Sequence, residues 1–170
     1  MKFDLRTIQE FPARVRAEEP CPEWDLTSYG LSLTGPLTLE MNIVKSDRIY
    51  YFNGWVEARG KLQCARCLTE FEANMRGSLE FSVQEAADPK MITTDDIPDT
   101  EIVVAMGQTE IDLDGPIKEA LILEIPLKPL CNENCRGICP LCGIDRNQEN
   151  CDCKPENTDP RWEGLRQFSE

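Results

Sequence analysis

The chain contains no histidine, and this absence narrows the chemistry available to it. Zinc sites that combine cysteine with histidine are excluded, as are catalytic zinc sites with histidine ligands and nucleophiles activated by a histidine base. No apolar run approaches the roughly 18 residues that a membrane-spanning helix needs. With 170 residues, the chain is long enough for one domain with a real core and a small appendage. These limits favour a binding or structural role over catalysis.

Basic residues are also scarce, since 18 Lys and Arg face 31 Asp and Glu for a net charge of −13. Nucleic-acid binding draws on basic side chains to neutralise phosphates, so this balance disfavours generic RNA binding and favours a basic protein partner. The first residues are too polar for a secretory signal, and we expect a cytoplasmic protein. Thiols stay reduced in the cytoplasm, where paired cysteines indicate metal binding or redox chemistry.

The negative charge is concentrated between residues 85 and 114, where nine acidic residues accompany a single base, Lys90. Residues 86–100 lack periodicity and contain two prolines, which predicts a mobile acidic loop. One interpretation is that this region contacts a basic partner, and the other is that it only keeps the protein soluble. The acidic residues that we expect to contact a partner are Asp95, Asp96, Asp99 and Glu101.

Eight of the nine cysteines fall into four close pairs, which is the strongest signal in the sequence. Four thiolates at tetrahedral corners form a closed structural zinc site, and short spacings let one turn supply two ligands. Eight such cysteines predict two zinc ions. The ninth, Cys21, lies between two prolines and is expected to be a free thiol. The paired cysteines are Cys64 with Cys67, Cys131 with Cys135, Cys139 with Cys142, and Cys151 with Cys153.

One of the two predicted zinc sites has the spacing of a zinc knuckle. The segment Cys139-Pro-Leu-Cys142 is followed by Gly143. In a knuckle, amides behind the first cysteine donate to its sulfur, and a glycine after the second adopts a positive φ. Cys151 and Cys153 follow closely enough to complete the tetrahedron through a short loop.

The other predicted site combines cysteines that are distant in sequence. Cys64 and Cys67 need partners, and Cys131 with Cys135 are the pair that remains. Such a site would cross-link the β-rich part of the chain to the start of its C-terminal segment. An exchange of partners between the two sites is the alternative, and the spacing alone leaves it open.

The hydrophobic pattern predicts an α+β fold with an antiparallel β-sheet domain and one main packed helix. Apolar residues alternate with polar ones in three long strands across residues 31–84, with Cys64 and Cys67 between the second and third. Glycines 54, 60 and 77 are expected at bulges or bends. A further short strand is expected over residues 101–105.

The main helix is predicted to begin at Asp114 as its N-cap and to stop at Pro126. Residues 1–128 would then form the β-rich domain. Residues 129–170 are too poor in aliphatic side chains to build a core, so they are predicted to be a zinc-binding tail ending in a short helix from Asp159.

Two alternative functions follow from other features of the sequence. A thiol oxidoreductase would use a Cys-x-x-Cys motif, but it would need a βαβ context that the expected antiparallel strands around Cys64 do not offer. Direct RNA recognition would need a local basic face near the first metal site. The residues available for that face are Arg59, Lys61, Arg66, Lys128 and Arg136. We expect neither a catalytic site nor an enzyme.

The order of these elements resembles the YceD-like family of bacterial and plastid proteins, named for their need in accumulating large-subunit ribosomal RNA. The resemblance extends over about residues 30–168. It depends on the motif at residues 62–68, the helical segment leading to Cys131, and the cysteine-rich tail. The matching segments are residues 62–68, 111–113, 117–131, 135–145, 151–153 and 159–162.

The resemblance implies a role in ribosome assembly that supports accumulation of the 23S ribosomal RNA. Genes of this family tend to neighbour that of a small basic large-subunit ribosomal protein, which implies such a protein, or a pre-ribosomal particle, as the partner. The family is cytoplasmic or plastid-located. Some members lack the knuckle, which implies that the site containing Cys64 and Cys67 is the older one.

Overall fold

The structure is a computed structural model that describes residues 1–87 and 100–154. These residues form eight strands and one α-helix. The elements are β1 (Lys2–Asp4), β2 (Ala13–Glu19), β3 (Leu31–Leu33), β4 (Leu37–Ser46), β5 (Ile49–Gln63), β6 (Glu70–Ala86), β7 (Glu101–Ala105), β8 (Glu110–Asp112) and α1 (Asp114–Leu123), with 3₁₀ turns at Leu5–Thr7 and Thr27–Tyr29. The predicted α+β class is confirmed.

Six strands form the main sheet in the order β2-β4-β5-β6-β7, with β3 also paired to β5. The β4–β5 and β5–β6 pairs are antiparallel, as the alternating pattern predicted. The sheet is nevertheless mixed, because β7 runs parallel to β6. A parallel neighbour needs a connection longer than a hairpin, and residues 87–100 separate these two strands. The remaining strands, β1 and β8, pair with each other.

Alternate side chains of the long strands enter the core, as the period of two predicted. Phe52 is 2% exposed and stacks on Phe81 with ring centroids 4.6 Å apart. The expected bulges at the glycines are wrong, because strand pairing continues through each of them without a skipped residue. At Gly77 the reason for glycine is helix packing, since a Cβ there would lie 2.5 Å from the carbonyl oxygen of Ala120.

Helix α1 covers β6 with Ile117, Ala120 and Leu121, all of which are buried. The prediction that Asp114 is the N-cap is wrong. Asp114 is the first helical residue, and its carboxylate accepts a hydrogen bond from the Met1 amino group instead of capping the helix. Not every apolar side chain of the helix is buried, since Leu123 faces solvent and is 76% exposed.

The sheet and the helix together position the cysteines. The β5–β6 connection carries Cys64 and Cys67, and the chain after α1 returns to the same end of the sheet, where the backbone amide of Ala65 donates to the carbonyl oxygen of Pro129 at 2.8 Å. Residues 129–154 contain no helix or strand, and an isolated β-bridge joins Ile138 to Asp145.

The structure does not test three of the expectations from the sequence. Asp95, Asp96, Asp99 and most of the predicted acidic loop lie outside the described residues, as does the predicted helix from Asp159. The division into domains at residue 128 stays a prediction. Over residues 1–87 and 100–154, no helix is long and apolar enough to cross a membrane.

Candidate metal centres

The eight paired cysteines lie in two groups of four, and in each group all the sulfur atoms are within 4.8 Å of one another. We refer to them as the first and second cysteine groups. The first group consists of Cys64, Cys67, Cys131 and Cys135, and the second consists of Cys139, Cys142, Cys151 and Cys153.

The spacing of the sulfurs in the first cysteine group suits a tetrahedral ion. The Sγ atoms of Cys64 and Cys135 are 3.8 Å apart, and those of Cys67 and Cys131 are 3.6 Å apart. A zinc–sulfur bond of about 2.3 Å in a tetrahedron places the sulfurs about 3.8 Å from each other. Cys131 is exposed, whereas the other three side chains are buried. The group can therefore hold a metal ion at the end of the sheet.

Two tight turns position the thiols of the first cysteine group. The amide of Leu68 donates to the carbonyl oxygen of Cys64 at 3.0 Å, and Leu68 itself adopts a positive φ of 62°. In the tail, the amide of Cys135 donates to the carbonyl oxygen of Asn132 at 3.0 Å. Each turn brings its two cysteines to one side. The Pro129 contact described above holds the two turns together.

The second cysteine group has the knuckle geometry that the sequence predicted. The amide of Gly143 donates to the carbonyl oxygen of Cys139 at 2.9 Å, and Gly143 has a φ of 77°. The amide of Cys139 in turn donates to the carbonyl oxygen of Ile144 at 2.8 Å. Cys142 and Cys153 are exposed, so this group lies nearer the surface than the first.

Backbone amides favour the thiolate form at one position in each group. The amides of Cys142 and Leu141 lower the pKa of Cys139 to about 6. Burial raises the pKa of Cys64, but hydrogen bonds from the backbone of Cys131, Cys67 and Arg66 outweigh it and bring that pKa to about 6. These amides are the donors expected around a metal-bound sulfur.

At another position in each group, the thiol resists losing its proton. A hydrogen bond with Cys67 and burial raise the pKa of Cys131 to about 12. In the second group, a hydrogen bond with Cys142, burial and charge repulsion raise the pKa of Cys153 to about 12. Several thiolates so close together repel one another, and a bound cation removes this repulsion. The arrangement of both groups therefore favours a cation over four free thiols.

Two contacts between the cysteine groups were not predicted. The side-chain amide of Asn147, from the loop of the second group, donates to Sγ of Cys135 in the first group at 3.3 Å. The amide of Ile138, beside the second group, donates to the carbonyl oxygen of Arg66 in the first at 3.0 Å. Spacing rules concern the ligands themselves, so no signal in the sequence marked Asn147.

The described residues that were proposed for partner binding lie on different elements of the fold. Arg59 and Lys61 are exposed on β5, and Glu101 is the half-exposed first residue of β7. Arg66 is exposed too, but its guanidinium Nη1 donates to the carbonyl oxygen of Cys135 at 2.8 Å. The Arg66 side chain therefore helps to position the Cys135 backbone in addition to contributing positive charge at the surface. Cys21 is an exposed thiol, separate from both groups.

The family model described as "Large ribosomal RNA subunit accumulation protein YceD" matches residues 52–169, a range that contains both cysteine groups. The chain belongs to the YceD family. The resemblance inferred from the sequence is thereby confirmed. The YceD family is named for the accumulation of large ribosomal subunit RNA, and the chain is thus connected with the large subunit at the level of its family.

Similar proteins occur in mycobacteria and plants. An uncharacterized protein of Mycobacterium tuberculosis is 32% identical over 164 residues, covering 96% of this chain and 72% of the relative. An uncharacterized protein of Mycobacterium leprae is 25% identical over 147 residues, covering 83% of this chain and 65% of the relative.

A chloroplastic YCED homolog 1 of Zea mays, named as a large ribosomal RNA subunit accumulation protein, is 45% identical over 49 residues. That match covers 28% of this chain and 17% of the plant protein. No solved structure matches the chain.

Proposed function

We propose that this YceD-family chain is a non-catalytic, zinc-binding assembly factor of the large ribosomal subunit that supports accumulation of the 23S ribosomal RNA in the cytoplasm. The observation that carries the proposal is the pair of four-cysteine groups inside the region that the family model matches. Sites in which all four ligands are cysteine sulfurs are typical of structural zinc.

Zinc at these groups would serve the fold, with no catalytic step. Four sulfurs close the coordination sphere and leave no position for a water or a substrate, which a catalytic zinc requires. An ion in the first cysteine group would fasten the tail to the β5–β6 connection. An ion in the second would hold the loops of residues 139–153, which have few buried side chains of their own.

A basic large-subunit ribosomal protein is the partner that the charge favours. The chain carries −13 before any metal is bound, and two sites with four thiolates and one dication each would add further negative charge. Such a surface attracts a basic protein at long range and repels RNA phosphates. Residues 85–101, which include Glu101 at the start of β7, are the acidic segment we propose for the contact.

Metal analysis of the reduced, full-length protein tests the structural part of this proposal. We expect two zinc ions per chain, because each cysteine group offers one complete set of four sulfurs. A value of one ion would leave the first cysteine group, the one that crosses from the sheet to the tail, as free thiols. A metal-free protein with all its thiols reduced would contradict the zinc-binding role altogether.

Binding kinetics with purified basic large-subunit ribosomal proteins test the partner. The test variant carries Asp95→Asn, Asp96→Asn, Asp99→Asn and Glu101→Gln. Its association should be slower and its dependence on salt flatter, since rim charges act mainly on association rates. The matched control neutralises four exposed acids elsewhere: Glu18→Gln, Glu70→Gln, Glu72→Gln and Glu149→Gln.

Equal slowing in both variants would show an effect of net charge alone and reduce the acidic segment to a solubility device. Salt-dependent binding to RNA that is lost with Arg59→Ala and Lys61→Ala would support the direct RNA-binding alternative. A redox-active dithiol in the metal-free protein would support the oxidoreductase alternative.

A further inference from the structure

We infer that the two cysteine groups are coupled, so that a metal ion in one group strengthens metal binding by the other. The inference rests on the proposed metal binding and concerns contacts that neither site needs for its own coordination. Each group receives a hydrogen bond or a close backbone contact from the loop that carries the ligands of the other.

Asn147 is the contact from the second group to the first. It lies between Cys142 and Cys151, so its loop is anchored at both ends by second-group ligands. Its Nδ2 donates to Sγ of Cys135 at 3.3 Å, and its Oδ1 accepts from the amide of Arg136 at 2.7 Å. One side chain thus stabilises a first-group thiolate and the backbone beside it.

Asn147 is itself held by its own loop. Its backbone amide donates to Oδ1 of Asp145 at 2.9 Å, and its Nδ2 also donates to that carboxylate oxygen at 2.6 Å. Residues that donate to metal ligands from outside the coordination sphere typically change metal affinity by about 10- to 100-fold when they are removed. Asn147 is therefore a positioning residue of the first cysteine group.

Arg66 provides the contact in the opposite direction. It lies between Cys64 and Cys67, and its carbonyl oxygen accepts from the amide of Ile138 at 3.0 Å, one residue before Cys139. The adjacent Gly137 has a φ of 72°, and a Cβ there would lie 2.9 Å from the same carbonyl oxygen. The two loops approach so closely that only glycine fits between them.

These contacts make the order of one loop depend on the order of the other. A metal ion in the second cysteine group fixes the segment that presents Asn147. An ion in the first fixes the carbonyl oxygen of Arg66, which accepts a hydrogen bond from the amide of Ile138. The ion that binds second then finds part of its loop already ordered and meets a smaller entropy cost. Because such coupling is reciprocal, each ion should raise the affinity for the other by the same factor, which we expect to be about 10-fold.

Zinc titrations of the full chain against a chromogenic chelator measure this factor. Cys139→Ser with Cys142→Ser leaves only the first site, and Cys64→Ser with Cys67→Ser leaves only the second. The product of the two affinities in the unmodified chain should exceed the product of the two single-site affinities by about 10-fold. Equal products would overturn the inference while leaving two zinc sites, and therefore the proposed function, intact.

Substitution of Asn147 identifies the residue responsible. Asn147→Ala should lower the first-site affinity by about 10-fold in the chain with both sites, and Asn147→Asp should do so as well, because it keeps the acceptor for Arg136 but loses the donor to sulfur. Gln148→Ala is the matched control. Gln148 is the next residue of the same loop, and it donates to Asp145 and not to a sulfur.

In the chain that lacks the second site, Asn147→Ala should have little further effect, because the loop that presents the side chain is no longer fixed. Cobalt substitution gives an independent readout in this single-site chain, since the thiolate-to-metal absorption then comes from the first site alone. A full 10-fold loss in both backgrounds would mean that Asn147 acts without the second metal, and that result would overturn the coupling.

Discussion

The sheet and the tail of this chain are stabilised in different ways. Every strand and α1 contribute apolar side chains to one continuous core, in which Leu39, Ile43, Val56 and Leu121 are completely buried. In residues 129–154, by contrast, the two cysteines Cys135 and Cys139 are the buried side chains, while the apolar Leu141 is 58% exposed. The comparison shows that burial of apolar surface can hold the sheet. The tail has no such core within residues 129–154, and we infer that it depends on its sulfurs.

This difference has a consequence for energetics. Burial of apolar area contributes about 25 cal/mol per Å², and the sheet has many side chains from which to draw it. A structural zinc site in a small peptide contributes on the order of 10 kcal/mol, most of it as folding free energy. The tail should therefore fold and unfold with its metal, and the sheet should not.

Metal removal gives the largest expected effect. After treatment with a strong chelator under reducing conditions, trypsin should cleave rapidly after Arg136 and Arg146, which are exposed and lie in loops fixed by the two cysteine groups. Cleavage within β5 and β6 should stay slow, because these strands belong to the hydrophobic core. Mass spectrometry of the fragments over time measures both rates.

Zinc restored in excess should return the tail to its resistant state, and magnesium, which prefers oxygen ligands, serves as the control. If the tail were equally resistant with and without metal, packing would be its main source of stability. Sheet and tail would then not differ in the way described above.

A cavity in the core is expected to have the next largest effect. Phe52→Ala should lower the free energy of unfolding by about 3–5 kcal/mol, because it removes a buried ring. That ring stacks on Phe81 and lies edge-on to Phe3 at 6.2 Å between centroids. Urea denaturation followed by circular dichroism measures the loss.

Tyr51→Ala is the matched control, because Tyr51 is adjacent in β5 but points to the other face and is 48% exposed. The zinc content of the folded Phe52→Ala variant should stay unchanged. A loss of metal in the folded state would show that the sheet core and the cysteine groups are less separate than their packing indicates.

The sequence predicted the parts of the structure that depend on local pattern. The alternation of apolar residues in β4, β5 and β6 determines which face is buried, and short cysteine spacings require tight turns wherever they occur. The parallel pairing of β7 with β6 was not predicted, because strand direction depends on the path of a long connection, which has no periodic signal.

Contacts between distant residues also escaped prediction. Aspartate is a residue type favoured at helix N-caps, which led to the prediction for Asp114. The Met1 amino group lies beside its carboxylate and binds it instead. Gly77 is a glycine because Ala120 packs on it, a contact between two residues more than forty positions apart in sequence. Asn147 and Arg66 belong to the same class, since Asn147 donates to a sulfur of the first group and the carbonyl oxygen of Arg66 accepts from Ile138, beside the second.

The smallest effect is expected at the junction where sheet and tail meet. Gly137 and Gly143 both have positive φ values, 72° and 77°, so alanine at either position should cost about 1–2 kcal/mol for the left-handed backbone alone. Their surroundings differ. A Cβ at 137 would lie 2.9 Å from the carbonyl oxygen of Arg66, whereas a Cβ at 143 would meet nothing within 4 Å. The pair therefore separates backbone strain from the contact between the cysteine groups.

Gly137→Ala should weaken zinc binding at both groups, because the two loops must move apart, and Gly143→Ala should weaken it mainly at the second group. The difference between the two variants in total zinc affinity, measured by chelator competition, isolates the junction. The free energy of unfolding of the sheet should be nearly the same in both variants, since neither position contacts its core. Equal zinc affinities in the two variants would mean that the close approach at Arg66 has no energetic weight. The tail would then be attached to the sheet by the first cysteine group, the Pro129 contact and the hydrogen bond from the Arg66 guanidinium to Cys135.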